Sequence, residues 1–146
     1  MNRTLGDIVG TRSRPLVTIA PEASAMSAAE LLCEHRIGAL VVVDDTGAMV
    51  GIVSERDLMR SVAERVDLDA QTVGEVMTRD VIVGLDTDAL NHAMGVMTER
   101  RIRHLPIMRA GRAEAMVSIG DIVNALRTEE RVVIRDLNAY IMGTYR

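Results

Sequence analysis

The sequence contains no phenylalanine and no tryptophan, and its two tyrosines, Tyr140 and Tyr145, both fall in the last seven residues. A core without aromatic rings must be built from Val, Ile, Leu, Ala and the ten methionines. Such an interior is aliphatic and closely interdigitated, with side chains small enough to let backbones approach one another. Apolar residues make up 48% of the chain, which is ample for a core. The lack of aromatic platforms also argues against stacking on bases. Charge agrees: 17 basic residues stand against 21 acidic, net −4, with no basic block, so nucleic acid is not an expected partner.

Long hydrophobic runs are missing as well. The longest, Ala39 to Val43, is far shorter than the roughly 20 apolar residues that span a bilayer, and no membrane partner is expected. The first residues, Met1 to Asp7, lack the apolar stretch of a signal peptide. Cysteine is nearly absent too, and Cys33 alone can form no internal disulfide. Together these features predict a soluble protein of the cytoplasm. A length of 146 residues fits one ordinary domain, or two small ones sharing a core.

Several chemistries lack their residues. His35, His92, His104 and Cys33 are the soft ligands available, and Cys33 and His35 do not share a helical face, so no metal site is expected. No Ser or Cys has a base and an orienting acid in a recognisable arrangement, and no glycine-rich phosphate loop is present. No catalytic residue is assigned. Cys33 reads as a small core residue on the apolar side of its helix.

What is present is a duplication. Thr4-Leu5-Gly6-Asp7-Ile8-Val9 returns as Thr72-Val73-Gly74-Glu75-Val76-Met77. Ile37 to Val43 corresponds to Ile102 to Met108, and Gly51 to Leu58 to Ala115 to Ile122. Each copy reads as a short helical turn (Leu5 to Val9; Val73 to Met77), then a brief strand (Val17 to Ile19; Val81 to Val83). An amphipathic helix follows, capped by Ser24 in the first copy and Asp88 in the second. A hairpin comes next: Ala39 to Val43 turning at Asp44-Asp45-Thr46-Gly47 into Met49 to Val53, and His104 to Met108 turning at Gly111 into Glu114 to Val117. A second helix closes each copy, after Ser54 and after Ser118. The fold class is therefore α/β, as two β-α-β-β-α repeats. Residues 1–70 form the first with its lead-in, 71–129 the second, and 130–146 a helical tail. In that tail Val133, Leu137, Tyr140 and Ile141 mark one face that wants a partner.

Ser54/Asp57 and Ser118/Asp121 are the most informative short motif. Each pair stands where a strand meets a helix. One reading is a capping box, the hydroxyl accepting from a first-turn N–H while the acid favours the helix N-terminus. The other is a ligand site: hydroxyl and helix N-terminus toward phosphate, carboxylate toward the paired donors of a ribose diol. The motif leaves both open. Arg103 and His104 add a cation and an imidazole where the first copy has Gly38 and Ala39. Facing a central cleft, Arg103 would offset the phosphate charge that the two aspartates repel. A solvated Arg103 and a packed His104 fit the sequence equally well, and Arg56, Arg100 and Arg101 read more readily as surface.

In joint order these stretches resemble a tandem pair of cystathionine-β-synthase (CBS) domains, a Bateman module, from about Leu5 to Arg127. The resemblance rests on Val17 to Pro21, Ile37 to Val42 and Gly51 to Asp57, and on Val76 to Thr78, Ile102 to Ile107 and Met116 to Asp121. It implies two repeats about a pseudo-twofold axis, sheets packed face to face, with two clefts between them. It implies a regulatory module, an energy or redox sensor, that binds AMP first, with ADP, ATP, NAD(H) or S-adenosylmethionine as alternatives. Carried over by position, Ser54 and Ser118 lie near phosphate and Asp57 and Asp121 at ribose. Thr18, Ile19, Ala39 and Ile52, with Ile82, Val83, His104 and Met116, wall the adenine. Arg103 and Pro106 complete the set, the proline marking a strand edge open to ligand. A homodimer through helices and an effector protein are the implied partners. Ala115 departs from the pattern, which has glycine there, so the first cleft is expected to fill more readily than the second.

Overall fold

The computed structural model describes residues 3–11 and 16–142. The first half holds α1 (Leu5–Thr11), β1 (Thr18–Ile19), α2 (Ala25–His35), β2 (Ala39–Val43), β3 (Met49–Ser54) and α3 (Glu55–Ala63). The second holds α4 (Val73–Val76), β4 (Gly84–Leu85), α5 (Leu90–Arg100), β5 (His104–Arg109), β6 (Arg112–Ser118) and α6 (Ile119–Ile141). Each half forms one three-stranded sheet, β1-β2-β3 and β4-β5-β6, with a parallel first pair and an antiparallel second. No helix among the described residues is long and apolar enough to cross a membrane.

The two hairpins close by different local chemistry. After β2, the Asp44 carboxylate accepts from the Thr46 and Ala48 N–H groups at 2.9 and 3.0 Å, an Asx turn completed by Gly47 at positive φ. After β5, Ala110 and Gly111 both adopt positive φ, the backbone of a two-residue hairpin turn. Arg36 and Arg101, at equivalent points after α2 and α5, cap their helices in the left-handed conformation although neither is glycine.

Strand β2 is apolar without alternation because both its faces are covered. Leu40 and Val42 point into a core with Ala25, Ala28, Leu32, Leu58 and Val53. Ala39 and Val41, also buried, face the other way, where β2 comes against β6 of the second sheet. The second core repeats the pattern with Leu105, Ile107, Val117, Leu90, Ala93, Met97 and Ile122.

The lead-in helices do not stay with their own halves. Leu5 and Ile8 of α1 are buried in the second core, and the Leu5 and Gly6 N–H groups donate to the Asp88 and Asp86 carbonyls at 2.9 and 2.8 Å. Val73 of α4 and the following Met77 are buried in the first core, with the Val73 N–H donating to the Ala23 carbonyl at 2.8 Å. Each repeat is thus completed by the other's lead-in.

Four sequence expectations are corrected. The second brief strand is Gly84–Leu85 and not Val81 to Val83: register pairs Ile19 with Val42 and Gly84 with Ile107, so Val83 and Gly84 are the counterparts of Thr18 and Ile19. Asp88 does not cap α5; its carboxylate accepts from the Leu85 N–H at 2.8 Å, and Ala89 holds the N-cap position without a side-chain bond. Cys33 is exposed, because α2 buries the stripe Ala25, Ala28 and Leu32, one residue away. The tail face from Val133 onward is no separate segment, since α6 runs unbroken from Ile119 to Ile141.

Candidate functional site

Both Ser-x-x-Asp pairs form complete capping boxes. In the first, Ser54 Oγ accepts from the Asp57 N–H at 3.3 Å, and Asp57 Oδ2 accepts from the Ser54 N–H and hydroxyl at 2.9 and 3.0 Å. In the second, the Asp121 N–H donates to Ser118 Oγ at 3.1 Å and the Ser118 N–H to Asp121 Oδ2 at 2.8 Å. The box engages one oxygen of Asp57; the other, Oδ1, lies 3.9 Å from Arg60. Asp57 is only 7% exposed, so its charge is held by this capped helix start and not by solvent. Capping is therefore real, and it sets both carboxylates at the walls of clefts between the repeats.

The first cleft, about 250 Å3, is lined by Ser54, Asp57 and Ile52 on one side and by Ile82, Arg103 and His104 on the other. The second, about 1100 Å3, is lined by Ser118, Asp121 and Met116 opposite Ala39, with His104 again at the border. Of the residues carried over by resemblance, Thr18, Ile19, Val83 and Pro106 line neither cleft. Ile19 is buried in the first core, Thr18 is exposed on β1, and Val83 is exposed just ahead of β4. Pro106 is fully buried in β5, the central strand of its sheet, and not at an open edge. Its missing N–H is tolerated because β4 pairs with β5 only from Ile107 onward.

His104 lies between the clefts. A Cβ built on Gly38 would meet its Nε2 at 2.7 Å, so the imidazole of the second repeat rests on a glycine of the first. Burial pushes its pKa below the usual histidine value; Glu55 and Asp121 pull upward, and Arg103 adds to the drop.

Sequence reasoning overlooked Thr78, Asp80 and Val81, which come from the segment after α4 to wall the first cleft. That segment crosses β3, with the Ile52 and Thr78 backbones exchanging hydrogen bonds at 3.0 and 2.8 Å. A signal existed in Gly51, a glycine inside a strand, where a Cβ would sit 2.8 Å from the Thr78 carbonyl. Ala115 holds the same ladder position in the second repeat, opposite Ile107 as Gly51 is opposite Val42, and its methyl packs against the second core. Arg56 and Arg101, read as surface, are exposed and also line the first cleft, whereas Arg100 lines neither.

The family model described as "CBS domain" matches twice, over residues 5–64 and 73–128. The Arabidopsis thaliana protein "CBS domain-containing protein CBSX3, mitochondrial" is 40% identical over 124 residues, covering 81% of this chain and 60% of that protein. The chain thus spans less than two thirds of that relative's length. Among solved structures, the CBS-domain protein ATU1752 from Agrobacterium tumefaciens superposes with a TM-score of 0.78 at 36% identity, covering 84% of this chain and 97% of that one. The CBS domain protein PAE2072 from Pyrobaculum aerophilum, complexed with AMP, gives 0.75 at 29%, covering 86% and 98%. The CBS domain pair of protein MJ0100, in complex with 5′-methylthioadenosine and S-adenosyl-L-methionine, gives 0.79 at 28%, covering 88% and 99%.

Proposed function

The chain belongs to the CBS-domain family, as a tandem pair, and on that premise we propose that it is a non-catalytic sensor binding an adenosine nucleotide between its repeats. The observation that carries this reading is the duplicated placement of a capped helix N-terminus with a carboxylate on a cleft wall. In the first cleft the Ser54/Asp57 box faces Arg103 and the apolar Ile82, which together offer phosphate, ribose and adenine their complements. Structures of relatives complexed with AMP, or with 5′-methylthioadenosine and S-adenosyl-L-methionine, support an adenosyl ligand. AMP is the first candidate, ahead of ADP, ATP and NAD(H). Binding would bias the relative arrangement of the repeats, or of a homodimer, for an effector protein to read.

A thermal-shift panel on the full chain tests this, with AMP, ADP, ATP, NAD, NADH, S-adenosylmethionine and GMP. The expected result is a rise of several degrees with one or more adenine ligands and none with GMP, by mass action on the folded state. A flat panel on folded, nucleotide-free protein overturns the reading. It would leave the second one, a protein-interaction module with unused clefts, which the exposed stripe on α6 favours: Val133 and Leu137 are 53% and 55% exposed and Tyr140 77%.

A further inference from the structure

His104 and Glu55 line both clefts, so the two side chains form the wall between them. Register fixes where that wall stands. His104 opens β5 opposite Ser118, as Ala39 opens β2 opposite Ser54, which makes His104 and Ala39 twin positions. The backbone before each twin is tied to a helix start. The Glu55 N–H donates to the Gly38 carbonyl at 3.0 Å, and the Ile119 N–H to the Arg103 carbonyl at 2.8 Å. The same place in the two repeats thus carries a methyl in one and an imidazole in the other.

The imidazole crosses to the first repeat and takes the room that Gly38 leaves. A Cβ at residue 38 would lie 2.7 Å from Nε2 and 2.8 Å from Cε1 of His104, and 3.4 Å from Glu55 Oε1. Ring and carboxylate therefore converge on the glycine. A ring seated on backbone has little room to yield, since close packing leaves no void behind it. In the nucleotide reading Asp57 takes the ribose, and the start of α3 at Ser54 and Glu55 takes the phosphate. The 5′ end of the ligand then points at the Glu55–His104 wall, and a longer phosphate chain runs into it. At about 250 Å3 the first cleft is also small among ligand pockets.

Resting on the nucleotide-binding reading above, we infer that His104 is a specificity-determining residue: it closes the inner end of the Ser54/Asp57 cleft and limits the ligand there to a nucleoside monophosphate. Selection is by exclusion, a clash built against the longer ligand and not an added attraction for the shorter. The second repeat thereby sets the length of what the first repeat's motif can hold.

Methyl NMR of the full chain reads each cleft by itself, since Ile52 and Ile82 line the first and Met116 the second. Titrations followed at Ile82 are expected to give AMP at least about tenfold tighter than ATP, the size of one steric conflict. In His104→Ala and His104→Ser that ratio is expected to fall to within about threefold. His104→Gln, which keeps a side chain of similar length, should retain it. Burial holds the imidazole neutral at pH 8, so a gain for ATP in the small variants reports space and not charge. Melting curves show which small variant folds, and one is enough, because a merely structural defect weakens both ligands and leaves their ratio alone. An unchanged ratio in a folded small variant overturns the role of His104. Equal AMP and ATP affinities at Ile82 in the unaltered chain overturn it without any variant, and both results leave the nucleotide reading standing. If no adenine ligand shifts Ile82 or Met116, the nucleotide reading itself falls.

Discussion

Single residues here carry two roles, and variants can separate them. Asp57 caps α3 and walls the first cleft, so Asp57→Ala loses both a helix-terminus interaction, about 1 kcal/mol, and a carboxylate on the cleft wall. Asp57→Asn retains an acceptor for the Ser54 N–H while removing the paired acceptors a diol needs. It is expected to keep the fold and lose about 1.5–3 kcal/mol of AMP affinity, read by calorimetry against denaturant melts. A variant that loses stability and keeps affinity would reduce Asp57 to a cap. Gly51→Ala is expected to cost about 1–3 kcal/mol in urea unfolding, because the new methyl meets the Thr78 carbonyl and the Met77 sulfur. At His104 the folded pKa is lowered, so the unfolded chain binds the proton more readily. Its contribution to stability is complete above the unfolded value of about 6.5 and is lost as pH falls from there toward the folded pKa. Denaturation of His104→Gln alongside the unaltered chain should show a shallower acid-side decline.

At the scale of elements, the duplicated pattern made both hairpins, the Ser24, Ser54 and Ser118 caps and the order of helices readable from the chain alone. Those features are local: hydroxyl caps and apolar alternation act within a few residues. What escaped was set by neighbours distant in sequence. Val81 and Ile82 look like strand but are drawn to the cleft wall, while Gly84 pairs because Ile107 lies beside it. Cys33 and the buried stripe of α2 differ by one position, finer than helical spacing resolves. Much of the lining was legible: the serines and aspartates that bracket the clefts, and with them Ala39, Ile52, Ile82, Arg103, His104 and Met116. Thr78 and Asp80 were not, since only the crossing of one repeat's lead-out over the other's strand brings them in. The helix α6 shows the opposite case. Ile119, Ile122 and Leu126 pack on the second core, and the same face continues as Val133, Leu137 and Tyr140 with nothing described beneath it. Val133→Glu/Leu137→Glu should leave the melting temperature within the small range typical of surface changes, about 0.5 kcal/mol. If this stripe joins two copies, sedimentation should move the variant from dimer to monomer. An unchanged mass would place any dimer elsewhere.

The molecule as a whole cannot be divided at its apparent midpoint. Leu5 and Val73 are each fully buried in the repeat that the other half contributes. Residues 1–70 alone lack α4 and would leave Leu5 and Ile8 uncovered, so this fragment is expected to show little helical circular dichroism. The intact chain should unfold in one transition, with both cores lost together. A fragment that folds, or two resolved transitions, would show the repeats to be independent.

Two separate single-repeat chains meeting across a twofold axis would embrace in the same way, each lending its arm to the other. Covalent continuity between the halves therefore adds proximity and not contacts. A chain nicked near Arg65 should persist as a clasped heterodimer, and halves produced apart should find each other and fold on meeting. The tandem protein has the form of an arm-exchanged dimer whose two copies were written into one chain and then left free to diverge, cleft by cleft.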